Sequence, residues 1–504
     1  MRPMSSSQTR IRLRPRHLLV AALATIAFAA TAASALATPS VNIVRQAGPP
    51  AGPIPAHTHY FTTIQAAVNA SKQGYWVLVE PGVYDEEVKV LRAQSGIHIR
   101  GMDRNSVILD GQHKAPAGGA NGIEIYKANE VTVQNLTVRN FDKGGENVNG
   151  PGGNEIWWNG GSGSNKIGAH DWYGSYLTAY DDGLYGGYGI FTNNETDGSW
   201  EEVYASGFND SGIYLGACQE CRATITGATI ESNAVGYSGS NSGGQLKIEN
   251  SIFRHNSDGI VPNSENPGDG PTPQDGQCHR HNIERPNPTP YVRSTEIERC
   301  TIIANNLVTE NDNLTVPANG STSASPYGAG IELPGDYSDL VEHNTITNNP
   351  TNGVLAFEYP NPFPPQPDTI YFKLSGNKIA NNTFSGNGYA GGKYAGDVLM
   401  QGGIFASGRS QSINNCVSAN TFADATYPAN IEGNNTPETP GWGCQNSQTP
   451  NPENGFGAIE YLLELQAVSE QGRTPTGQPV PAAQPTMPNV CEDVPSDPLC
   501  PLAA

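Results

Sequence analysis

Charged residues are scarce in this chain, and basic residues are the scarcest. Asp, Glu, Lys and Arg together make up 15% of the 504 residues, against roughly 25% in ordinary domains. There are 28 Lys and Arg against 48 Asp and Glu. Binding to nucleic acid or to anionic membranes depends on basic residues that displace counterions. The composition therefore argues against both partners, and against polyanionic sugars unless a cation such as Ca²⁺ bridges the carboxylates.

Long apolar runs are also missing, with one exception near the N-terminus. The exception is LLVAALATIAFAATAASALA, which begins at Leu18 after a stretch with four arginines and has small residues at Ala35 and Ala37. This pattern is typical of a secretory signal peptide cleaved after Ala37, and a membrane anchor is the alternative. Elsewhere no stretch approaches the roughly 20 apolar residues that cross a bilayer. We therefore expect a secreted protein without membrane insertion.

Helical periodicity is absent from the middle of the chain, where a glycine followed by an apolar residue recurs instead. The first four copies are spaced by 23, 24 and 23 residues. The seven glycines are Gly189, Gly212, Gly236, Gly259, Gly330, Gly353 and Gly403. A period of this length is typical of a solenoid built from short strands and turns.

Stacking one coil on the next would place equivalent apolar residues in a single interior column. The predicted column contains Ile190, Ile213, Tyr237, Ile260, Ile331, Val354 and Ile404. Asparagines recur at the turns, as at Asn233, Asn256, Asn349 and Asn387. Asparagine tolerates left-handed backbone geometry and can bond to the next asparagine in the stack.

The two ends of the solenoid need protection from edge pairing. A short helix over 63–70 is the natural N-terminal cap, after a linker over 38–59 that follows the signal peptide, 1–37. The repeats define a β-helix over 60–443, interrupted by a Pro-rich insertion from Pro262 to Tyr291. Beyond it, over 444–504, we expect a cap helix at Gly457 to Ser469 and a mobile, disordered Pro-rich tail.

The N-terminal part of the solenoid resembles a known superfamily. The stretch TIQAAVN from Thr63, followed by EPGVY and IRG, is similar to the entry of pectinesterases and more broadly of the pectate-lyase-like superfamily. The resemblance covers roughly Tyr60 to Phe422 and implies an all-β, single-stranded right-handed parallel β-helix. The catalytic motifs of pectinesterases, polygalacturonases and pectate lyases do not follow, apart from the isolated pair Asp181 and Asp182. The chain therefore resembles a separate branch of the superfamily.

Eight cysteines follow the signal peptide, and an even number in an exported protein favours disulfides. Pairing of sequence neighbours is the simplest of the 105 connectivities. The alternative for Cys218 and Cys221 is a metal or redox site, although zinc would require a second pair at similar spacing.

Acidic and aromatic residues concentrate between residues 170 and 188. Asp181 and Asp182 could act as acid and base or bind Ca²⁺. Aromatic rings suit sugar faces, so the predicted substrate-binding residues are Trp172, Tyr173, Tyr180, Tyr185 and Tyr188. The alternative is that Asp181 and Asp182 form a turn and that the aromatic residues pack the loops.

A second concentration of polar residues spans the next coils and includes the scarce basic groups that a lyase would need. These candidate catalytic residues are Asp210, Lys247, Arg254, His255 and Asp258. The alternative interpretation is that they are solvated turn residues.

Three functions are compatible with these features. The first is a lyase or glycoside hydrolase acting on an extracellular polysaccharide, with Ca²⁺ as a conceivable cofactor. The second is a non-catalytic adhesion or glycan-binding β-helix at the cell surface. The third is a periplasmic assembly protein of the NosD-like kind, which no metal motif supports. For each we expect a monomer.

Overall fold

The computed structural model describes most of the chain beyond the N-terminal 38 residues. The described residues are 39–114, 121–142, 153–161, 167–218, 220–244, 246–263, 299–317, 325–360, 371–372, 374–402, 414–446 and 456–501. The expected signal peptide and the insertion after Asn263 lie outside them.

Each coil of the solenoid contributes to two short-stranded ribbons and to one longer-stranded sheet, all paired in parallel. The first ribbon contains Val41–Val44, Trp76–Val79, His98–Gly101, Glu195–Glu201, Ala223–Thr226, Leu246–Glu249, Thr301–Ala304, Leu340–Glu342, Lys378–Ala380 and Cys416–Ser418, with Thr58–Phe61 at its edge. The second contains Gly82–Tyr84, Val107–Asp110, Tyr204–Ser206, Thr229–Glu231, Ile252–Arg254, Leu307–Thr309, Thr345–Thr347 and Thr383–Ser385. Thr132–Arg139 and Ala169–Tyr180 run through both ribbons.

The third sheet carries the longer strands and follows the second ribbon in every coil. Its strands are Val88–Leu91, Asn121–Tyr126, Asn154–Asn159, Tyr188–Asn193, Ser211–Gly216, Val235–Ser240, Asp258–Asn263, Ala329–Pro334, Asn352–Phe357, Gly396–Gln401 and Thr426–Tyr427. Tyr359–Pro360 and Tyr371–Phe372 form a small antiparallel pair outside the solenoid. The predicted parallel β-helix is confirmed.

The predicted interior column is present, with one substitution at its end. Ile190 pairs with Ile213, and the pairing continues through Tyr237, Ile260, Ile331 and Val354, all of them fully buried. Val354 then pairs with Val398 of the strand Gly396–Gln401. Ile404, the expected member, lies outside the described residues.

Asparagines form a continuous ladder at the turn between the second ribbon and the third sheet. Each Nδ2 donates to the Oδ1 of the next asparagine at 3.0 to 3.1 Å, in the order Asn233, Asn256, Asn311, Asn349 and Asn387. The left-handed residue is the one before each asparagine, as at Ser232 and His255. The predicted side-chain bonds are therefore confirmed, whereas the predicted left-handed backbone at the asparagines is wrong.

The N-terminal cap forms as predicted and extends further than expected. Helix α1, Ile64–Ala70, begins where the Oγ1 of Thr63 accepts a bond from the backbone N–H of Ala66. It buries Ile64, Ala67 and Val68 against the first coils. Val41–Val44, in the expected linker, is already a strand of the first ribbon.

The C-terminal helix exists but does not close the end of the solenoid. Helix α2, Phe456–Gln471, packs Tyr461, Leu462 and Leu465 on the outer face of the third sheet. The last coil is instead closed by Trp442 and Ile431, which belong to the main core.

The residues after α2 lie along the solenoid and return to its first coil. Arg104 donates to the carbonyl of Pro485, and Arg100 donates to those of Val490 and Glu492, at 2.6 to 2.9 Å. Cys500 packs in a cluster with Val41, Ile43, Trp76 and Leu78. The prediction of a mobile, disordered tail is therefore wrong for residues 472–501, which we call the tail.

Three disulfides occur among the described residues, and each joins sequence neighbours as predicted. They are Cys218–Cys221, Cys416–Cys444 and Cys491–Cys500. Cys278, the expected partner of Cys300, lies outside the described residues. Cys218 and Cys221 are fully buried and bonded to each other, so they do not offer thiolates to a metal. None of the helices in the described chain is long and apolar enough to span a bilayer.

Candidate functional site

From Asn121–Tyr126 to Asn352–Phe357 the strands of the third sheet share a glycine at their second position, with the strand Asn154–Asn159 as the exception. Glycine fits because little space is left there: a Cβ on Gly212 would lie 2.5 Å from the Nδ2 of Asn233. In the strand Asn154–Asn159 this position is Glu155, whose side chain is fully buried. A carboxyl group thus lies inside the turn that elsewhere holds the asparagine ladder.

One of the two oxygens of the Glu155 carboxyl accepts a hydrogen bond. Oε1 accepts a bond from the backbone N–H of Phe141 at 3.1 Å, while Oε2 is buried and has no hydrogen-bond partner among the described residues. Burial raises the pKa of Glu155 well above its usual range, and the nearby charges of Asp181 and Asp142 raise it further. Burial therefore disfavours the charged form of this carboxyl.

His113 lies between two carboxylates that come from the next two coils. Its Nδ1 is 2.8 Å from Oδ2 of Asp142, and its Nε2 is 2.8 Å from Oδ1 of Asp182. Burial lowers the pKa of His113, but the bonds to Asp142 and Asp182 and the charge of Asp181 outweigh it, so the pKa is raised. A ring that donates from both nitrogens is an imidazolium.

Asp181 lies behind His113, and two backbone N–H groups hold its carboxylate in place. Its Oδ1 accepts from the N–H of Gly183 at 2.9 Å, and its Oδ2 accepts from that of Gly186 at 2.6 Å. Burial and the neighbouring charge of Asp142 raise the pKa of Asp181 to about 6, although the two backbone bonds lower it. Only His113 and Asp182 are accessible, with side chains 36% and 32% exposed.

We call His113, Asp142, Asp181 and Asp182 the acidic cluster. A second ion pair, on the second ribbon, borders this cluster. Arg139 donates from Nε and Nη2 to Oδ2 of Asp110 at 2.9 and 2.7 Å, and from Nη1 to the hydroxyl of Tyr180 at 2.5 Å. The Tyr180 ring is 5% exposed. Arg139 therefore neutralises Asp110 and fixes Tyr180, and it is not available to a ligand in this arrangement.

The cluster as arranged does not fit a bound cation. His113, Asp181 and Asp182 offer ligand atoms within 4.8 Å of one another. However, both nitrogens of His113 face carboxylates and both oxygens of Asp181 accept backbone N–H groups. Calcium takes six to eight oxygen ligands, and an imidazolium has no lone pair to offer a metal. In this arrangement the residues of the cluster therefore do not form a Ca²⁺ site.

Aromatic side chains form a strip on the outer face of the third sheet. The rings of Trp157 and Phe191 stack with centroids 5.1 Å apart and planes 7° apart. Tyr188 stacks on Phe191 at 4.6 Å, and Tyr214 meets Phe191 edge-on at 4.9 Å. The indole Nε1 of Trp157 donates to Oδ1 of Asn193, which fixes the ring. We call these four residues the aromatic strip.

The strip and the acidic cluster adjoin because they share strands and turns. Glu155 and Trp157 are two residues apart on one strand, a distance of about 7 Å. Tyr188 begins the strand that follows the turn carrying Asp181 and Asp182. A chain-like ligand on the strip would therefore pass beside His113 and Asp182.

The first predicted group is only partly brought together. Asp181 and Asp182 belong to the acidic cluster, Tyr180 borders it, and Tyr188 belongs to the aromatic strip. Tyr185 is 36% exposed in the turn between them. Tyr173 lies on the first ribbon and donates to Glu201. The prediction that Trp172 binds sugar is wrong, because this residue is 2% exposed and packs in the core with Trp158 and Trp200.

The structure does not gather the second predicted group into one groove. Asp210 and Asp258 are buried, and Asp258 accepts bonds from the backbone of Gly328 and Ala329. Lys247 is exposed on the first ribbon. Arg254, on the second, donates to Glu231 at 2.6 Å. His255 is half exposed at the following turn, 3.7 Å from Glu310.

Sequence reasoning missed the residues that complete the site, His113, Asp142, Glu155, Trp157 and Phe191. One signal was present in the sequence: Glu155 occupies the position of the recurrent glycine. Aligning the strand NEIWWN with YGIFTN would have revealed the exchange and placed Trp157 beside Phe191.

No protein-family model matches this sequence, and no curated protein is similar to it. Solved structures do resemble the fold. They include the A-module of mannuronan C-5 epimerase AlgE4 from Azotobacter vinelandii, with 13% identity, a TM-score of 0.41 and coverage of 71% of this chain and 90% of that one. Pectate lyase Pel9A has 12% identity and a TM-score of 0.36, covering 77% and 78%. The enzymatically active domain of bacteriophage CBA120 tailspike protein 2 has 14% identity and a TM-score of 0.40, covering 71% and 48%.

Proposed function

We propose that this protein is a secreted glycan-binding enzyme that holds a polysaccharide on the aromatic strip and hydrolyses it beside His113 and Asp182. The observation that carries the proposal is the continuity of the strip with the cluster. Aromatic faces bind the apolar faces of sugar rings, and a proton donor and acceptor lie within one strand of them. Buried, hydrogen-bonded neighbours hold both groups in place.

The charge of the site favours a neutral glycan. Asp110, Asp142, Asp181 and Asp182 outnumber His113 and Arg139, so the site attracts no polyanion. A lyase acting on uronates would need a free cation to neutralise the sugar carboxylate, and Arg139 is already paired with Asp110. Hydrolysis of a neutral chain therefore fits the site better than elimination.

The exposed pair supplies the proton transfers that hydrolysis needs. His113, as an imidazolium, donates a proton to the leaving glycosidic oxygen. Water then attacks the anomeric carbon that the leaving oxygen has left, and its proton returns to the now neutral Nε2 of His113. Asp182, 2.8 Å from that nitrogen, stabilises the charged form of the ring. Asp142 and Asp181 touch no substrate in this scheme and position the pair.

A carbohydrate panel tests this function. Purified protein would be presented with galactomannan, xylan, mixed-linkage glucan and dextran, and with alginate and polygalacturonate, each with and without Ca²⁺. We expect binding and new reducing ends with at least one neutral chain, and neither with the polyanions. Preference for the polyanions, or strict dependence on Ca²⁺, would overturn the proposal.

Point variants separate binding from chemistry. Trp157→Ala should weaken binding about tenfold, roughly 1.4 kcal/mol for one lost ring face. His113→Ala should leave binding within about threefold and reduce turnover by about 100-fold or more, the usual share of a general acid. Tyr389→Ala is the matched control, because Tyr389 is 59% exposed away from the strip. Binding without any turnover would support the alternative, a non-catalytic glycan-binding protein.

A further inference from the structure

The outer face of the third sheet changes from open to covered along the solenoid. One side chain per coil forms an outward column, fixed by the strand register. In order the column contains Lys89, Glu124, Trp157, Phe191, Tyr214, Ser238, Val261, Glu332, Leu355 and Leu399. The N-terminal half of this column can contact a ligand, and the C-terminal half cannot.

The open half runs from Lys89 to Phe191, because Tyr214 is only 6% exposed. The side chain of Lys89 is 55% exposed, and Trp157 and Phe191 are partly exposed. Three steps of about 4.8 Å between parallel strands give a groove of roughly 14 Å. Its N-terminal end stays accessible, since Leu91 and Tyr126 in the first two coils are 46% and 37% exposed.

The covered half lies beneath helix α2. Leu355 and Leu399 are fully buried in a cluster with Tyr461, Leu462 and Leu465. The hydroxyl of Tyr461 donates to Oδ1 of Asn352 at 3.1 Å, and the backbone N–H of Tyr327 donates to the carbonyl of Leu465. The helix is therefore fixed across three adjacent strands by both apolar and polar contacts.

Among the described residues, the column between the two halves is buried. Ser238 and Val261, the column members between Tyr214 and the helix, are 0% and 1% exposed. Glu332, next in the column, is also fully buried. A ligand that follows the column past Tyr214 thus meets a closed surface before it reaches α2.

We propose that the groove accepts the end of a glycan chain and not an interior segment, so that the enzyme cleaves short units from a chain end. This inference rests on the proposed function and adds the mode of attack to it. A groove open at both ends lets a polymer extend past the cleavage point in both directions. Here the covered half blocks one direction, because an extended chain on the strip would collide with the surface beyond Tyr214.

The mode of attack is measured on the wild-type protein with galactomannan, or with the neutral chain of the panel that binds most tightly. We expect reducing ends to accumulate while viscosity stays nearly constant, and the earliest products to be short oligosaccharides. An early loss of viscosity with long products would show internal cleavage and overturn the inference, while leaving the proposed function intact. Absence of both binding and turnover across the panel would instead overturn the proposed function.

Binding to blocked chains gives a readout that is independent of turnover. Oligosaccharides of the same polymer would be compared with versions coupled to a bulky group at the reducing end, at the non-reducing end, or at both. We expect one of the single blocks to weaken binding at least tenfold and the other to have little effect. Equal affinity for doubly blocked and free chains would overturn the inference.

A pair of helix variants tests which feature closes the groove, the buried column or α2. Tyr461→Ala combined with Leu465→Ala removes contacts that hold the helix, and because the column is already closed at Ser238 and Val261, the short products of the wild type should persist. Leu463→Ala is the matched control, because Leu463 lies on the same helix and is 59% exposed; it should act as wild type. If the double variant is folded by circular dichroism and gives longer products with an early loss of viscosity, α2 and not the buried column closes the groove. If the double variant does not fold, the binding of the end-blocked oligosaccharides to the wild type decides whether the groove takes a chain end.

Discussion

At the scale of single residues, the site depends on carboxyl groups placed where water cannot reach them. Asp142 is buried; its Oδ2 faces His113, and its Oδ1 has no hydrogen-bond partner in the part of the chain that the structure describes. A buried carboxylate is costly unless a positive charge pairs with it. The imidazolium of His113 supplies that charge, so the fold and the proton donor stabilise each other.

His113 should therefore link stability to pH. The usual histidine pKa in an unfolded chain is about 6.5, and that of folded His113 is raised. Its contribution to the free energy of unfolding is present below pH 6.5 and is lost as pH rises through the folded pKa. Because a third of the ring is in water, we expect a loss of less than about 1 kcal/mol between pH 6 and 8.5.

Urea denaturation at the two pH values checks this expectation. The wild type should lose more stability than His113→Gln over this interval. His59→Gln, at an exposed position of the strand Thr58–Phe61, should follow the wild type. An equal loss in wild type and His113→Gln would show that the ring is not charged between Asp142 and Asp182.

The sequence predicted residues of the interior far better than those of the site. Ile190, Ile213 and Ile260 could be aligned because a repeat imposes the same apolar position in each coil. His113 and Asp142 follow no repeat, since they occupy irregular turns and meet only because coils stack. Trp172 was misassigned because a strand buries alternate residues, and no local signal tells which face of a long aromatic strand points inward.

At the scale of structural elements, the asparagine ladder connects the turns of five coils. Asn311 is fully buried; its Oδ1 accepts from the backbone N–H and the Nδ2 of Asn256, and its Nδ2 donates to Asn349. Removing the amide leaves buried donors and an acceptor on both neighbours without partners. Each such group costs about 1 to 3 kcal/mol.

We expect Asn311→Ala to lower the free energy of unfolding by about 2 to 4 kcal/mol. The measurement is chemical denaturation followed by far-ultraviolet circular dichroism. Asn489→Ala is the control, because Asn489 is exposed in the tail, and it should change stability by less than about 0.5 kcal/mol. A loss below about 1 kcal/mol at Asn311 would mean that the neighbours find other partners, such as water.

At the scale of the whole molecule, the tail joins distant parts of the solenoid. It passes Asp182, where a Cβ on Gly477 would lie 2.8 Å from the Asp182 carbonyl oxygen, and it ends in the disulfide loop on the first coil. Isolated solenoids lose their end coils first, because these have a neighbour on one side only. The disulfide loop covers the outer face of the first-coil strands Val41–Val44 and Trp76–Val79.

Removing the Cys491–Cys500 bond should therefore loosen the first coil specifically. The bond closes a loop of about ten residues, which corresponds to roughly 2 to 3 kcal/mol. In the variant Cys491→Ser with Cys500→Ser, we expect faster hydrogen exchange at Val41–Val44 and Trp76–Val79, and unchanged exchange at Cys416–Ser418. Equal acceleration at both ends would show that the loop stabilises the chain globally and does not protect one edge.

The return of the tail to the first coil also orders events during biosynthesis. Trp76 and Leu78 leave the ribosome about 400 residues before Cys500, which covers them. At roughly 5 to 20 residues per second this interval is on the order of 20 to 80 seconds. During this interval the nascent polypeptide exposes the apolar face formed by Val41, Ile43, Trp76 and Leu78, which a chaperone could bind.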